Sequence, residues 1–300
     1  MYKKKLNVLV VVLLLACGAS AAQVQVDQSR PASPEGEVYI ENLFGSIEII
    51  GWDRDEVQIT GQLAAGAEGL EFDADEEGVS IEVGEPDHWL HGSEDDSEYR
   101  SDLVISVPRG SSVGVETLNA AITIDGVSGA IEIESVNGNI KISGDPETVE
   151  IEAMTGNVEV RAQAAEMDVE ALSGAVQLYG ATGSVSVEAV SGTVIIQGEA
   201  IEEISVESVS GDVSFDGGFA AEGEFEVETH SGNIELIVPG DVKARFEFET
   251  FNGQIENEIG PAPHKEDRFS PYTELRFSTG SEEFDISVET FSGNITLRTR

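Results

Sequence analysis

Apolar and polar residues alternate along most of this chain, and the alternation comes in phrases that repeat. From Val38 onward apolar positions fall two apart, as in Val38 and Ile40, Ile47 and Ile49, Val57 and Ile59. That period belongs to a strand with one buried face. Short alternating runs end at Gly, Asp and Asn, and beyond the N-terminal segment no stretch sustains a helical period. Downstream, one phrase recurs nine times: apolar–x–apolar–Glu–small–apolar, closed by Ser, Asn or Thr. Its glutamates are Glu116, Glu134, Glu152, Glu170, Glu188, Glu207, Glu228, Glu249 and Glu289. The first five are 18 residues apart, and the later steps are 19, 21, 21 and 40, the last read as about two coils. A fixed period of this size marks a stack in which each repeat buries its apolar face against its neighbours.

The expected fold is therefore all-β: a parallel β-solenoid of 18–21-residue coils with two short strands per coil. An antiparallel meander would also give two strands per period. The parallel coil is preferred because the Ser/Asn-Gly corner recurs while the other connection varies. In one repeat Val176, Leu178, Val185 and Val187 point inward, and Ser186 and Glu188 point outward. The step of three from Val187 to Val190 places a corner there, ending at Gly192. His230 fills a slot held elsewhere by Val, Met, Leu or Phe, so it reads as a core histidine. Phe225, Phe246, Phe248 and Phe251 replace valines where the period lengthens, which predicts a solenoid that broadens toward its C-terminus.

Residues 1–22 read as a signal peptide, with a basic start at Lys3, Lys4 and Lys5 and an apolar run from Leu6 to Ala16. Ala19-Ser20-Ala21 offers a cleavage site. The alternative is a lipobox, Leu14-Leu15-Ala16-Cys17, which would make a membrane-anchored lipoprotein through Cys17. Both readings place the protein outside the cytoplasm, in the periplasm or secreted. Cys17 is the sole cysteine, so no intrachain disulfide forms. Residues 23–37 read as a flexible arm and 38–300 as a single domain. Within it, irregular coils span 38–110, the regular array 111–257, and C-terminal coils with an insertion loop 258–300. The loop from Pro261 to Pro271 interrupts the period and reads either as the partner site or as a tolerated insertion.

Three stretches resemble a known bacterial family: EVYIENLFGSIEIIGWDRDEVQITG (37–61), DLVISVPRGSSVGVETLNA (102–120) and the repeated VETxSGNI units. It is the putative adhesin, or β-strand-repeat, family of unknown function. The likeness covers most of residues 37–298, and the G-W-D-R-x-E-V turn is its more specific part. The resemblance implies an exported β-solenoid-like domain, and no functional residue is carried over with it.

Charge narrows the partners. The chain has 58 acidic against 16 basic side chains, a net charge of −42. Between 111 and 240, 24 acids face only Lys141 and Arg161. Such a field repels nucleic acid and acidic glycans, which leaves an envelope protein or a neutral glycan as partner and a monomer as the expected state. In register, Glu134, Glu152, Glu170, Glu188 and Glu207 would form a line of carboxylates. Calcium is its candidate bridging cation, against the plainer reading of a solvated face. His88 and His91, beside Asp87, Glu94, Asp95 and Asp96, are the zinc candidates, against the plainer reading of solvated loop histidines. No nucleophile triad or phosphate loop assembles. The expectation is a non-catalytic structural or adhesion module of the cell envelope. Its alternatives are an accessory protein of envelope-stress signalling and a carbohydrate-active β-helix enzyme. The enzyme would need a groove gathering bases near residues 260–276.

Overall fold

A computed structural model describes residues 23–65, 67–75, 78–84, 99–265, 271–280 and 284–300. The leader with Cys17 and the histidines at 88 and 91 lie outside the described residues.

The described chain is all-β. Its N-terminal strands are β1 (Val24–Pro31), β2 (Glu37–Glu41), β3 (Phe44–Trp52), β4 (Glu56–Leu63), β5 (Leu70–Ala74), β6 (Gly78–Val83) and β7 (Ser101–Pro108). The regular array holds β8 (Ser112–Val127), β9 (Ile131–Asn137), β10 (Ile140–Gly144), β11 (Thr148–Thr155), β12 (Val158–Ala162), β13 (Glu166–Ser173), β14 (Val176–Ser191), β15 (Val194–Ser210), β16 (Val213–Ser231) and β17 (Ile234–Val238). The C-terminal strands are β18 (Arg245–Asn252), β19 (Ile255–Asn257), β20 (Thr273–Ser278), β21 (Phe284–Ser292) and β22 (Ile295–Thr299).

The strands form two parallel ladders offset by part of a period. In the first, Val149 of β11 pairs with Ile131 of β9 on one side and Met167 of β13 on the other. In the second, Val158 of β12 pairs with Ile140 of β10 and Val176 of β14. Each period thus adds one rung to both ladders. Inward side chains from the two ladders, such as Ile133 and Ile151 of the first and Val160 of the second, join one buried hydrophobic cluster. Two short strands per period hold only in part. In β8, β14, β15 and β16 the two merge into single strands of 16, 16, 17 and 19 residues, the last three bent by register shifts at positions such as Tyr179/Ala181 and Gly198/Ile201.

The recurring corner has a steric cause. Gly174 has φ +131°, and a Cβ built there would lie 1.8 Å from the carbonyl oxygen of Gly156, one rung away. Gly156 stands in the same relation to Gly138, and Gly192 to Gly174. Beside this column, Asn139 Oδ1 accepts the backbone N–H of Asn157 at 3.0 Å, and Asn157 Oδ1 that of Ala175 at 3.0 Å. The side chain at each of these corners therefore satisfies the backbone of the next.

Sequence order is not stacking order at the ends. β21 pairs with β16 on one side and β18 on the other, and β22 likewise lies between β17 and β19. The last segment of chain is thus inserted between two earlier ones, so the 40-residue step is not two successive coils. Side chains follow the same order: Asn233 Oδ1 accepts from Asn294 N–H at 3.1 Å, and Asn294 Oδ1 from Gln254 N–H at 3.0 Å. At the other end, β2 lies between β6 and β8, and β3 between β7 and β8. Antiparallel strands then cover the outer edges: β5 on β6, β4 on β7 and β20 on β18.

The expected flexible arm at 23–37 is also corrected. Within it, β1 pairs antiparallel with β4 from Val24↔Leu63 to Pro31↔Glu56, and Val26 is buried. The edge of β4 would otherwise present unpaired backbone groups, and β1 satisfies them despite its polar composition. In the C-terminal half, Phe215, Phe225 and Phe284 are buried, with Phe219 stacked on Phe215 at 5.3 Å between ring centres.

Candidate functional site

The outward face of the first ladder carries the site. Along β14, Val187 is buried, Glu188 exposed, Ala189 buried and Val190 exposed. Strict alternation therefore continues past the glutamate, and a small residue takes the inward place that a valine was expected to fill. The equivalent small residues Thr117, Ser135, Ala153, Ala171, Ser208, Thr229, Thr250 and Thr290 are all buried. Two residues beyond each glutamate, on the same outer face, stand Val136, Met154, Leu172, Val190, Val209, Phe291 and Phe251, each 39–53% exposed. These seven lie in one stripe, and the only other large hydrophobics exposed to that degree among the described residues are Val24 and Tyr39.

His230 belongs to this stripe and is exposed, not a core histidine. Its ring stacks on Phe291 with centres 5.0 Å apart, and Phe291 stacks on Phe251 at 5.0 Å. Phe251 is likewise no core filler. The stripe and the glutamate row border a groove of about 850 Å³, floored by the small residues. Alternation alone could have placed these side chains outside, because Glu188 and Val190 are two apart. Hydrophobicity argued the other way, and burial by size decided it.

The glutamate row is longer than the phrase indicates. In register it runs Glu82, Glu41, Glu116, Glu134, Glu152, Glu170, Glu188, Glu207, Glu228, Glu289 and Glu249. Glu71 faces Glu82 and Glu274 faces Glu249 in the antiparallel caps. The fragments Val38-Tyr39-Ile40-Glu41 and Val79-Ser80-Ile81-Glu82 carry the first half of the phrase and were the signal for two of the missed members.

Crowded carboxylates shift their own titration. Repulsion from Glu188 is the largest cause holding the Glu170 pKa above the ordinary carboxylate value, with partial loss of water and Glu152 adding to it. For Glu289 the loss of water comes first, followed by Glu249 and Glu228. Tyr39 donates a 2.6 Å hydrogen bond to Glu116, which raises its phenol pKa. At the other end of the row, Arg276 bridges Glu247 at 2.8 Å and Glu249.

The calcium candidates Glu134, Glu152, Glu170, Glu188 and Glu207 stand one per rung in a line. Among the described residues no three His, Cys, Asp or Glu side chains converge to hold a metal ion. A line does not make the closed oxygen shell of six to eight ligands that calcium takes. Near the C-terminus, Arg245 pairs with Asp285 at 3.0 Å, Arg298 with Glu235 at 2.8 Å, and Arg300 with Glu199 at 2.6 Å. These arginines tie rungs together rather than lining a groove for acidic sugar. From the 261–271 loop, His264 exchanges backbone hydrogen bonds of 2.8 and 3.0 Å with Glu274 of β20, and residues 266–270 lie outside the described residues.

Residues 37–298, from the start of β2 into β22, match the family model described as Toastrack DUF4097. The chain belongs to that family. The whole glutamate row and, but for Thr299, both inserted segments lie within the Toastrack match, whereas β1 lies before it. No curated protein matches the chain. Among solved structures, the Toastrack chain is similar to a putative adhesin from Bacteroides fragilis NCTC 9343, at 11% identity and a TM-score of 0.48, covering 93% of this chain and 100% of that one. A putative cell adhesion protein from Clostridium sporogenes ATCC 15579 is similar at 9% identity and a TM-score of 0.27, covering 92% and 100%. A putative adhesin from Parabacteroides merdae ATCC 43184 is similar at 9% identity and 0.30, covering 91% and 95%.

Proposed function

We propose that this chain is a non-catalytic interaction module of the cell envelope. It is an exported β-solenoid of 18–21-residue coils that holds a partner along the outer groove. The observation that supports this is the stripe of exposed apolar side chains beside the glutamate row. Soluble surfaces scatter such residues singly, and contiguous stripes rimmed by polar groups mark binding faces. The carboxylates of the groove are evenly spaced along a row, with no nucleophile–base pair set among them. That arrangement suits adhesion along a surface better than turnover in a pocket.

A site-specific photocrosslinker tests the reading in a bacterial host expressing the chain with its leader. Placed at Leu172 in the groove, it should give discrete adducts in the extracytoplasmic fraction. Placed at Gln177 on the second ladder, it should give few. Equal yields from both positions, or a chain retained in the cytoplasm, would sink the proposal.

A further inference from the structure

The groove also points to the class of partner that fits it, an inference that rests on the reading above. We infer that it takes a cationic amphipathic helix of a partner polypeptide, laid along the stack axis. Lysines or arginines of that helix face the glutamate row, and its apolar stripe covers Met154, Leu172, Val190 and their neighbours.

Charge selects the occupant first. A second copy of this chain would bring its own glutamate row and net charge of −42 against the first. An anionic lipid surface is repelled in the same way. A neutral apolar partner would strip water from carboxylates without pairing them, which is costly. Only a partner carrying cations next to its apolar face satisfies both sides of the groove. Arg276 shows the pattern within the chain: its guanidinium lies across Glu247 and Glu249 at one end of the row. On the groove floor, the buried hydroxyls of Ser208 and Thr229 have no hydrogen-bond partner among the described residues.

Spacing then selects the conformation. Successive rungs stand roughly 4.8 Å apart. Successive turns of an α-helix are about 5.4 Å apart, so one turn overshoots one rung by only about 0.6 Å, and about eight rungs match seven whole turns. An extended peptide repeats same-face side chains every ~6.7 Å, overshooting one rung by about 1.9 Å at its first step. The two stripes of the groove come from positions two apart on each strand, roughly 6.7 Å. That distance suits adjoining basic and apolar faces of one helix. From Glu116 to Glu249 the row has eight steps. It is therefore about 38 Å long, the length of about 25 helical residues.

The test uses the full mature chain and a synthetic helical peptide of about that length, built from leucine and lysine with the two residue types on adjoining faces. Isothermal titration should give one peptide per chain. Combined Glu152→Gln, Glu170→Gln and Glu188→Gln should weaken binding at least about tenfold, and so should combined Met154→Ser, Leu172→Ser and Val190→Ser. A control removing the same charge elsewhere, Asp55→Asn, Asp73→Asn and Asp241→Asn, should stay within about twofold. Circular dichroism melts confirm that each variant is folded. Three outcomes overturn the inference: no binding, equal weakening by the control, or oligolysine of equal length binding as tightly as the leucine–lysine peptide. If the peptide fails while the crosslinker at Leu172 still gives adducts, the groove reading stands and only the partner class is wrong. If both fail, the groove reading falls too.

Discussion

Glu170 and Glu188, 18 residues apart in the chain, face each other in register on neighbouring strands, both outward and exposed. Their repulsion raises the folded-state pKa of Glu170, and partial burial does the same for Glu289. A carboxylate raised in this way binds its proton more tightly when folded. Its favourable contribution is complete below the ordinary value of 4.5 and is lost as pH rises through the raised one. Mild acidification from pH 7 toward 5 should therefore increase the melting temperature. Glu170→Gln should increase it at pH 7 by on the order of 1 °C and flatten the pH response. A melting temperature that falls steadily over this range would contradict the account.

The glycine column makes a sharper prediction about stability. Gly174→Ala sets a Cβ against the Gly156 carbonyl at a backbone angle that L-residues avoid. It should cost at least about 3 kcal/mol in urea denaturation, because neither rung can move without its neighbours. Gly240→Ala, which meets nothing within 4 Å, should cost less than about 1 kcal/mol.

Removal of one whole period should be tolerated where removal of half a period is not. Deleting 174–191 joins Ser173 to Gly192 and lets Met167, which now pairs with Val185, pair with Ile204 instead. The shortened chain should melt cooperatively and lose about 4.8 Å of length in small-angle scattering. Deleting 174–182 removes the second-ladder segment of β14 alone and should abolish the cooperative melt.

The inserted C-terminal segment can be checked by cysteine pairing in a Cys17→Ser background. Glu226 and Glu247 both face Ser287, from opposite sides. Oxidation should join Glu226→Cys with Ser287→Cys, and also Glu247→Cys with Ser287→Cys. Glu226→Cys with Glu247→Cys should stay reduced, since the two stand two rungs apart, beyond disulfide reach.

Much of this arrangement was legible in the sequence, because a repeated phrase states its own register: Glu134, Glu152, Glu170 and Glu188 could be placed in line from spacing alone. Three features were not. Val190, Leu172 and His230 occupy a mostly apolar slot that reads as inward, and only the buried Ala189, Ala171 and Thr229 beside them reveal the opposite. Glu41 and Glu82 belong to strands that lack the closing Ser/Asn-Gly corner, so no fixed period points to them. The position of β21 between β16 and β18 depends on which of two similar surfaces wins. Phe225, Phe246 and Ile286 head equivalent phrases that spacing alone does not rank.

That last ambiguity bears on how the molecule is made. During synthesis Arg245–Asn252 emerges before Phe284–Ser292, and its phrase lies 21 residues after that of β16, the same interval that separates β15 from β16 there. A nascent chain can thus close early by seating β18 directly on β16, a contact the finished protein does not contain. Where it forms, that contact has to open before the final strands can enter, so they complete this end only by displacing it. A chain cut short before residue 284 would have that same contact available, with β18 covering the edge of β16 in place of the missing strands.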